Sequence, residues 1–511
     1  MLRFKIHIRN HGLTVKALFR NDVNLLIAFN SHFQTWKSTY NTRMRRSVKT
    51  PDKNYVLILK DGSYGYHKNL YPKLLQLFKD NNIPPEEIET SYLLPYKAAP
   101  NNVQLSDSLK LRDHQPKVID FICSKEGILA NVVVIPLQTG MGKTLTSLYS
   151  ISRLKERASL TMSARYMQSW IDDIAKFYKG DSSQYKIVKK GSELKLLIDD
   201  ALNDKIRHLN LIIFSIDILR DYFKEFELTG KSTYGCNPED LYKVLGVGIR
   251  FTDEAHENIH FNFVHDINTH VNKSVYLSAT IESHEHFTNE LYAILFPINA
   301  RLQGLKWNKY IIGTALGYKL RHPKRVKCMG AQGYSHTEYE KYIMLSKELT
   351  EHYFRMCMFF MEKGFVQKYQ PKQKLLVYFS TIDMCNLFTE YVKSHISNKS
   401  LKISSFVEAD EADTLVENDV LMSTPGKSGT GRNIIGLVTV ISTIAIKSMQ
   451  SNTQTSGRLR DIREMFPGVD ANFYYLVCTD IKKHMDYHNL RLELFKNQFS
   501  RLMVYNTQWE V

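Results

Sequence analysis

The cysteines of this chain provide no metal-binding or disulfide framework. Its 511 residues include 6 cysteines and 18 histidines, with no C-x-x-C pair and no group of histidines at ligand spacing. Scattered thiols of this kind are typical of a reducing compartment. We therefore expect free cysteines, no zinc site and a cytoplasmic location.

Long hydrophobic runs are also missing. The longest apolar stretch covers residues 433–446, where Gly, Ser and Thr interrupt it. This stretch is too short to cross a bilayer and is more typical of a buried strand. No secretory leader, low-complexity run or solenoid-length repeat is visible. With 43% hydrophobic residues, the chain is expected to form two or three soluble globular domains without a membrane partner.

Acidic residues are scarce at the N-terminus. Residues 1–80 contain 15 Lys or Arg and only 4 Asp or Glu, a net charge of +11 out of +16 for the chain. Aromatic and basic side chains alternate within this stretch: Phe33, Trp36, Tyr40, Arg43, Arg45, Arg46, Lys49 and Lys53. The pattern fits either a solvated basic face or a surface that grips phosphate backbones, and we favour nucleic acid.

The first 105 residues predict a small α+β domain. The expected elements are a strand at 2–8, a helical segment at 23–29, a hairpin around Asp61-Gly62 and a helix at 71–81. Residues 95–107 are rich in Pro, Asn, Ser and Asp, which is typical of a linker. We expect the rest of the chain to fold without this domain.

Residues 131–147, NVVVIPLQTGMGKTLTS, predict a buried strand, a phosphate-binding loop and a helix. The loop is Thr139, Gly140, Met141, Gly142, Lys143 and Thr144, with Leu137 where the usual pattern has Gly. Its backbone N–H groups and the helix N-terminus favour anions, Lys143 can reach the β/γ-phosphates, and the Thr144 hydroxyl can ligate Mg²⁺. The predicted ligands are therefore ATP and Mg²⁺.

A second motif, VGIRFTDEAHE at 247–257, predicts a strand that delivers two acids to its C-terminal edge. There Asp253 would hold Mg²⁺ through water, and Glu254 would orient and deprotonate an attacking water. Paired acids on a turn also arise by chance, but the preceding strand and the loop at Lys143 favour a catalytic pair.

Three further polar residues are candidates for ligand binding. Gln115 precedes the phosphate loop by about thirty residues, and its amide can pair with adenine. Ser163 and Ser215 follow predicted strands. Their hydroxyls are suited to nucleic-acid phosphates, although helix capping explains them equally well.

Six segments in order carry a family resemblance: PLQTGMGKT, TDEAH, LSAT, LLVYFS, STPGKSGTGRNI and QTSGRLR. They resemble motifs I to VI of the superfamily 2 DExD/H helicases. The resemblance implies an α/β fold of two tandem RecA-like domains, at 106–305 and 306–511, with ATP bound between them. The whole chain is similar to the phage UvsW helicases. That similarity implies ATP-dependent remodelling of branched DNA (Holliday junctions, stalled forks, R-loops) in phage replication, recombination and repair, within the host cytoplasm.

The resemblance also implies residue roles in the second half. Gln454, Arg458 and Arg460 would act in catalysis with Lys143 and Glu254, and Gly431 would contact the nucleotide. Thr381 and Thr424 would join the serines on the nucleic-acid backbone. The family places its second finger arginine where this chain has Asp461, so Arg460 and Arg463 both remain candidates, with Arg460 favoured.

Several functions remain open at this point. The leading one is a monomeric DNA helicase that tracks one strand of duplex or branched DNA and also acts on RNA–DNA hybrids. The alternatives are a translocase or annealing motor without strand separation, an RNA-directed helicase, and a non-catalytic basic binding protein. A restriction-nuclease motor subunit is disfavoured, since only residues 462–511 follow motif VI.

Overall fold

The computed structural model describes the chain except residues 42–45, 138–139, 279–280, 282–285, 306–307, 331–332, 408–412 and 429–433. It divides into two compact units, Met1–Leu305 and Lys306–Val511. All six cysteines lie in described segments and are free thiols. Within the described residues, no helix is both long and apolar enough to cross a membrane.

The first unit begins with a small mixed sheet and two helices. Its elements are β1 (Phe4–Ile8), β2 (Gly12–Ala17), α1 (Arg20–Ser31), β3 (Gln34–Asn41), β4 (Arg46–Asn54), β5 (Leu57–Ile58), β6 (Tyr64–His67), α2 (Tyr71–Asp80) and β7 (Ile88–Tyr92). Five strands form one sheet in the order β5, β6, β2, β1, β7. Only β1 and β7 pair in parallel.

The alternation of apolar and polar residues in β1 explains why one face of this sheet is buried. Phe4, Ile6 and Ile8 are buried on one face of β1, and the Phe4 ring lies 4.5 Å from the Phe78 ring of α2. Gly62 turns the β5–β6 hairpin with φ +79°, a conformation that favours glycine. The predicted first strand, helical segment, hairpin and 71–81 helix are confirmed.

Strands β3 and β4 form a separate antiparallel ribbon. The ribbon carries part of the predicted basic patch: Lys37, Lys49 and Lys53 are exposed, and so is the Trp36 side chain. Arg46 lies in β4, while Arg43 and Arg45 fall outside the described residues. The sequence located the charge but did not predict the two strands.

A six-stranded parallel sheet follows in the first unit. Its elements are α3 (Gln115–Cys123), β8 (Val132–Ile135), α4 (Lys143–Leu154), β9 (Ala158–Met162), α5 (Ala164–Phe177), β10 (Tyr185–Val188), α6 (Gly191–Leu202), β11 (Leu211–Ser215), α7 (Ile216–Thr229), α8 (Leu241–Val244), β12 (Ile249–Thr252), α9 (Ile259–Asn268), β13 (Lys273–Leu277) and α10 (His286–Leu295). The order is β10, β11, β9, β12, β13, β8, with every pair parallel. Strands β8, β9, β11, β12 and β13 are buried throughout, as covered parallel strands require.

The small sheet and the parallel sheet share a hydrophobic core. Phe4 and Phe78 belong to the same buried cluster as Val134, Phe263 and Tyr276. Polar contacts join the two parts as well, and the buried Asp266 carboxylate accepts hydrogen bonds from His67 at 3.0 Å, Arg250 and Tyr276. The two parts of the first unit are therefore packed as one body.

The segment predicted as a linker is packed rather than loose. Asn101 and Val103 are buried, and the Asn101 amide donates to the Ile151 carbonyl at the end of α4. Pro100 and Leu105 form isolated bridges with Glu156 and Tyr178. Because this segment is packed, it does not mark a domain boundary near residue 105, and that boundary remains a prediction from the sequence.

The second unit is built on a seven-stranded parallel sheet. Its elements are β14 (Ile311–Lys319), β15 (Met329–Gly330), β16 (Gly333–Tyr334), α11 (His336–Met344), α12 (Lys347–Gly364), β17 (Lys374–Tyr378), α13 (Ile382–His395), β18 (Ile403–Phe406), α14 (Asp413–Glu417), β19 (Val420–Ser423), α15 (Pro425–Ser428), β20 (Leu437–Ser442), α16 (Met449–Ser456), β21 (Ala471–Cys478), α17 (Lys482–Gln498) and β22 (Arg501–Glu510). The order is β18, β19, β17, β20, β21, β14, β22. Strand β20 is buried throughout, which confirms a buried strand at Leu437–Ser442 within the stretch 433–446; residue 433 lies outside the described residues.

Candidate active site

The phosphate-binding loop joins β8 to α4. Gly140 and Gly142 have φ values of +88° and +80°, and α4 begins at Lys143 directly after the left-handed Gly142. The loop therefore aims the N-terminus of a twelve-residue helix at its centre, which creates a site for anions. Of the predicted loop residues, Thr139 lies outside the described chain.

This loop is contacted by residues just before α3 and by Gln115, the first residue of α3. Arg112 donates to the Gly140 carbonyl at 2.8 Å, and a ring nitrogen of His114 lies 3.0 Å from the Met141 carbonyl. The Gln115 side chain is 1% exposed and its amide nitrogen lies 3.5 Å from the same carbonyl. In this structure Gln115 is directed at the loop, and its predicted role in adenine recognition remains a prediction.

The Lys143 ammonium lies between the two predicted catalytic acids. It is 2.5 Å from Oε1 of Glu254 and 3.4 Å from Oδ1 of Asp253. Burial disfavours the charged lysine, but the two carboxylates outweigh burial and raise the pKa of Lys143. Burial raises the pKa of Asp253 in spite of the nearby lysine. The structure thus brings together the phosphate-loop lysine and both acids of the second motif.

The backbone around the acids is held tightly. The Asp253 N–H donates to the Thr161 carbonyl of β9 at 2.9 Å, and the Glu254 N–H donates to the Asp253 carboxylate at 2.9 Å. Glu254 has φ +45°, which is costly for a residue with a side chain and is typical of functional sites. The turn after β12 therefore directs both carboxylates toward α4.

His256 connects this turn to the end of β13. Its Nδ1 is 2.8 Å from the Ser278 hydroxyl and 3.5 Å from Oε2 of Glu254. Burial lowers the pKa of His256 to about 4, so the ring is neutral at physiological pH. His256 thus links Glu254 to Ser278, which lies in the LSAT segment.

Helix α5 supplies contacts that the sequence did not reveal. The Trp170 indole donates to Oδ2 of Asp253 at 2.8 Å. Tyr166 and Arg165 both donate to the Glu257 carboxylate, at 2.8 and 2.6 Å. Because these pairs are far apart in sequence, only the tertiary fold brings them together.

The donor set around Lys143 fits Mg²⁺. Carboxylate and hydroxyl oxygens are the ligands this ion prefers, and Asp253 and Thr144 provide them. The Lys143 ammonium beside the carboxylates shows that a cation is stabilised here. Among the residues that the structure describes, no group of three or more His, Cys, Asp or Glu is arranged to hold a metal, so water and phosphate oxygens would complete the coordination.

The candidate catalytic residues of the second unit lie in and just after α16. Gln454 is half-buried within this helix, and Arg458 is buried immediately after it. The Arg460 guanidinium donates to the Gly457 carbonyl, and burial lowers the pKa of Arg460 to about 10. Arg463 is exposed and pairs with Asp461. Gly431 lies outside the described residues, and the role of each remains a prediction.

Arg491 of α17 supports α16, another contact without a sequence signal. Its Nε donates to the Asn452 side chain at 2.6 Å and its Nη2 donates to the Ile444 carbonyl at 2.7 Å. The guanidinium is fully buried against the Tyr475 ring. It thereby fixes the start of the helix that bears Gln454.

The four hydroxyls predicted to touch nucleic acid differ in exposure. Ser163 and Thr424 are half-buried, whereas Ser215 is 2% exposed and faces the interior. Thr381 caps α13 and donates to the buried Glu340 carboxylate at 2.8 Å. Capping therefore accounts for Thr381 in this structure, and the nucleic-acid contacts of all four remain predictions.

Comparison with known proteins places this site in a family context. Residues 108–283 match the family described as "Type III restriction enzyme, res subunit". This range contains the phosphate loop, both acids and α5. The predicted resemblance to superfamily 2 helicases is confirmed. No curated protein sequence shows a significant match to the chain.

The fold is shared with a solved helicase structure. Mss116p bound to ssRNA and AMP-PNP matches with a TM-score of 0.51 at 13% identity, covering 78% of this chain and 75% of that one. This likeness confirms the fold of two RecA-like domains. The Hef helicase domain of Pyrococcus furiosus matches at 11% identity and TM-score 0.41, covering 74% and 98%. T4 UvsW matches at 11% identity and TM-score 0.34, covering 99% and 100%.

Proposed function

We propose that the protein is an ATP-dependent helicase that remodels branched DNA such as Holliday junctions, stalled forks and R-loops. The observation that carries the proposal is the placement of Lys143 against Asp253 and Glu254 at the N-terminus of α4. A helix N-terminus with a lysine and two acids can bind a nucleoside triphosphate and activate water. The fold shared with a helicase bound to ssRNA supports a nucleic-acid partner.

The residues of the first unit divide the chemistry among them. The loop at Gly140–Gly142 and the Lys143 ammonium bind the phosphates, and Lys143 exchanges its carboxylate partners for phosphate oxygens. Thr144 and Asp253 would hold Mg²⁺, which when bound neutralises charge developing on the phosphates. Glu254 is then released from Lys143 and can accept a proton from the attacking water.

On the basis of the family resemblance, we propose that the second unit contributes positive charge to the same reaction. Arg458 and Arg460 are the proposed finger residues, because charge that develops on the γ-phosphoryl group is stabilised by guanidinium groups. Arg460 remains cationic near neutral pH, because its lowered pKa is still about 10. Gln454, one turn before Arg458, is the proposed partner in positioning them.

The β3–β4 ribbon is the proposed second grip on DNA. It stands apart from the five-stranded sheet and exposes Lys37, Lys49, Lys53 and the Trp36 ring. Basic side chains neutralise phosphates, and an exposed aromatic ring can stack on an unpaired base. A junction offers both features, and phosphate contacts of this kind imply little sequence preference.

A motor that translocates or anneals without separating strands is the alternative, as is an RNA-directed helicase. These functions use the same ATPase, so strand displacement distinguishes them. We would measure it with ATP on forked DNA, four-way junctions, RNA–DNA hybrids and RNA duplexes that share one sequence. Displacement on the branched DNA supports the proposal. ATP hydrolysis without displacement on any substrate favours the translocase, and displacement of RNA duplexes alone favours the RNA helicase.

A further inference from the structure

Helix α5 contacts the proposed metal ligand Asp253 through the side chain of Trp170. Trp170 is 4% exposed and packs in the same core as Leu160, Met167 and Ile174. Its indole N–H therefore has a fixed direction, and it donates to Oδ2 of Asp253 at 2.8 Å. The other oxygen, Oδ1, faces the Lys143 ammonium. The indole thus forms a hydrogen bond with Oδ2 and leaves Oδ1 directed toward the Lys143 ammonium.

We propose that Trp170 of α5 is a positioning residue of the metal site and orients Asp253. This inference rests on the proposed ATPase, and it assigns to α5 a role in metal affinity. Hydrogen bonds to the ligands of a metal fix their orientation and commonly contribute about 10- to 100-fold to its affinity. A tryptophan that only packs the core would contribute stability without affecting the metal.

The first test compares Trp170→Phe with Tyr166→Phe in the full chain. Both substitutions remove one buried donor from the same face of α5, but the Tyr166 hydroxyl is bonded to Glu257 rather than to Asp253. Binding of Mn²⁺, a paramagnetic substitute for Mg²⁺, would be followed by electron paramagnetic resonance in the presence of AMP-PNP. We expect a Kd for Mn²⁺ about 10- to 100-fold higher in Trp170→Phe and unchanged in Tyr166→Phe. AMP-PNP binding in EDTA should be the same in both.

Loss of the indole can also disturb the core, so a third variant preserves its shape. Benzothienylalanine at position 170 replaces the N–H by sulfur and keeps the bicyclic ring. We expect the same loss of Mn²⁺ affinity at a normal melting temperature. Wild-type affinity in this variant would overturn the role of Trp170 while the ATPase proposal stands. A wild-type protein that binds no metal–nucleotide complex would overturn both proposals.

Discussion

At the scale of single residues, Gly142 shows how the phosphate loop depends on one backbone conformation. Its φ is +80°, and a Cβ at this position would lie 2.3 Å from the Gln115 amide nitrogen. A side chain would therefore strain the backbone and displace the glutamine. The loop can therefore pack against Gln115, at the start of α3, only with glycine at position 142.

Gly142→Ala should lower both stability and nucleotide binding. Gly62→Ala is a matched control, because Gly62 has φ +79° with no atom within 4 Å of the added Cβ. The left-handed conformation alone should cost each variant about 1 kcal/mol in the free energy of unfolding. We expect a larger loss in Gly142→Ala, together with weakened AMP-PNP binding in calorimetry. Equal stabilities and equal nucleotide affinities would show that the contact with Gln115 is unimportant.

The finger arginine gives a second prediction at this scale. Arg460→Ala should lower kcat for ATP hydrolysis far more than Arg463→Ala, because Arg463 is already paired with Asp461 at the surface. Nucleotide affinity should change little in either variant, since the contact forms in the transition state. Steady-state kinetics with ATP would show the order. If Arg463→Ala lowers kcat more, the second finger is Arg463.

The sequence predicted the residues of the site better than their supports. Lys143, Asp253 and Glu254 follow strands in recognisable motifs, and the ends of parallel strands bring them together. Trp170 and Arg491 support the site from helices, where a buried tryptophan or arginine carries no local signal of its partner. Such contacts depend on the tertiary fold.

At the scale of elements, buried and exposed strands were predicted unequally. Strands β8, β11 and β20 are covered on both faces and therefore appear in the sequence as apolar runs. The β3–β4 ribbon has no such run, because it forms its own two-stranded sheet. Its backbone pairing leaves little hydrophobic periodicity in the sequence.

The ribbon leads to a prediction about salt dependence. Changing Lys37, Lys49 and Lys53 together to Gln should weaken binding to branched DNA and lower the slope of log K against log salt by about one per lost phosphate contact. Fluorescence anisotropy at several salt concentrations gives this slope. The control changes Lys189, Lys195 and Lys205, which are exposed on other elements of the first unit. Equal slopes in the two triple variants would argue against a specific grip by the ribbon.

At the scale of the whole molecule, the small N-terminal domain is part of the first unit. Its core is continuous with that of the parallel sheet, and a Cβ on Gly12 would lie 2.7 Å from the Ile267 carbonyl. These contacts argue against the expectation that the rest of the chain folds after removal of residues 1–95, and the deletion below tests it. Deletion would expose Val134, Phe263 and Tyr276, which favours aggregation or unfolding.

Two deletions test this account of the N-terminal domain. The Tyr55 N–H already donates to the Phe33 carbonyl at 3.0 Å, so an Asn-Gly turn can replace residues 34–54. That variant should keep its melting temperature and basal ATPase but bind junctions weakly. Deletion of residues 1–95 should instead lower the melting temperature sharply. A stable, fully active protein after the larger deletion would contradict the shared core.

Buried histidines predict how stability depends on pH. Burial lowers the pKa of His11 to about 3, with Arg250 and His67 adding to the effect against Asp266. Between that value and the unfolded pKa of 6.5, the unfolded chain binds the proton more tightly. Stability should therefore be full above pH 6.5 and fall as pH decreases toward 3. In His11→Gln, the melting temperature of the first unit should decrease less between pH 6.5 and 4 than in the wild type.

The central claim is that Lys143, Asp253 and Glu254 form the ATPase of a nucleic-acid motor. Glu254→Gln tests it most directly, because it removes the proposed base and leaves the phosphate loop and Asp253 in place. ATP hydrolysis would be measured with and without forked DNA, and AMP-PNP binding would be measured on the same preparation. We predict DNA-stimulated hydrolysis in the wild type and a loss of at least about 100-fold in the variant with nucleotide binding retained. Near-normal, DNA-stimulated turnover in Glu254→Gln would contradict the account.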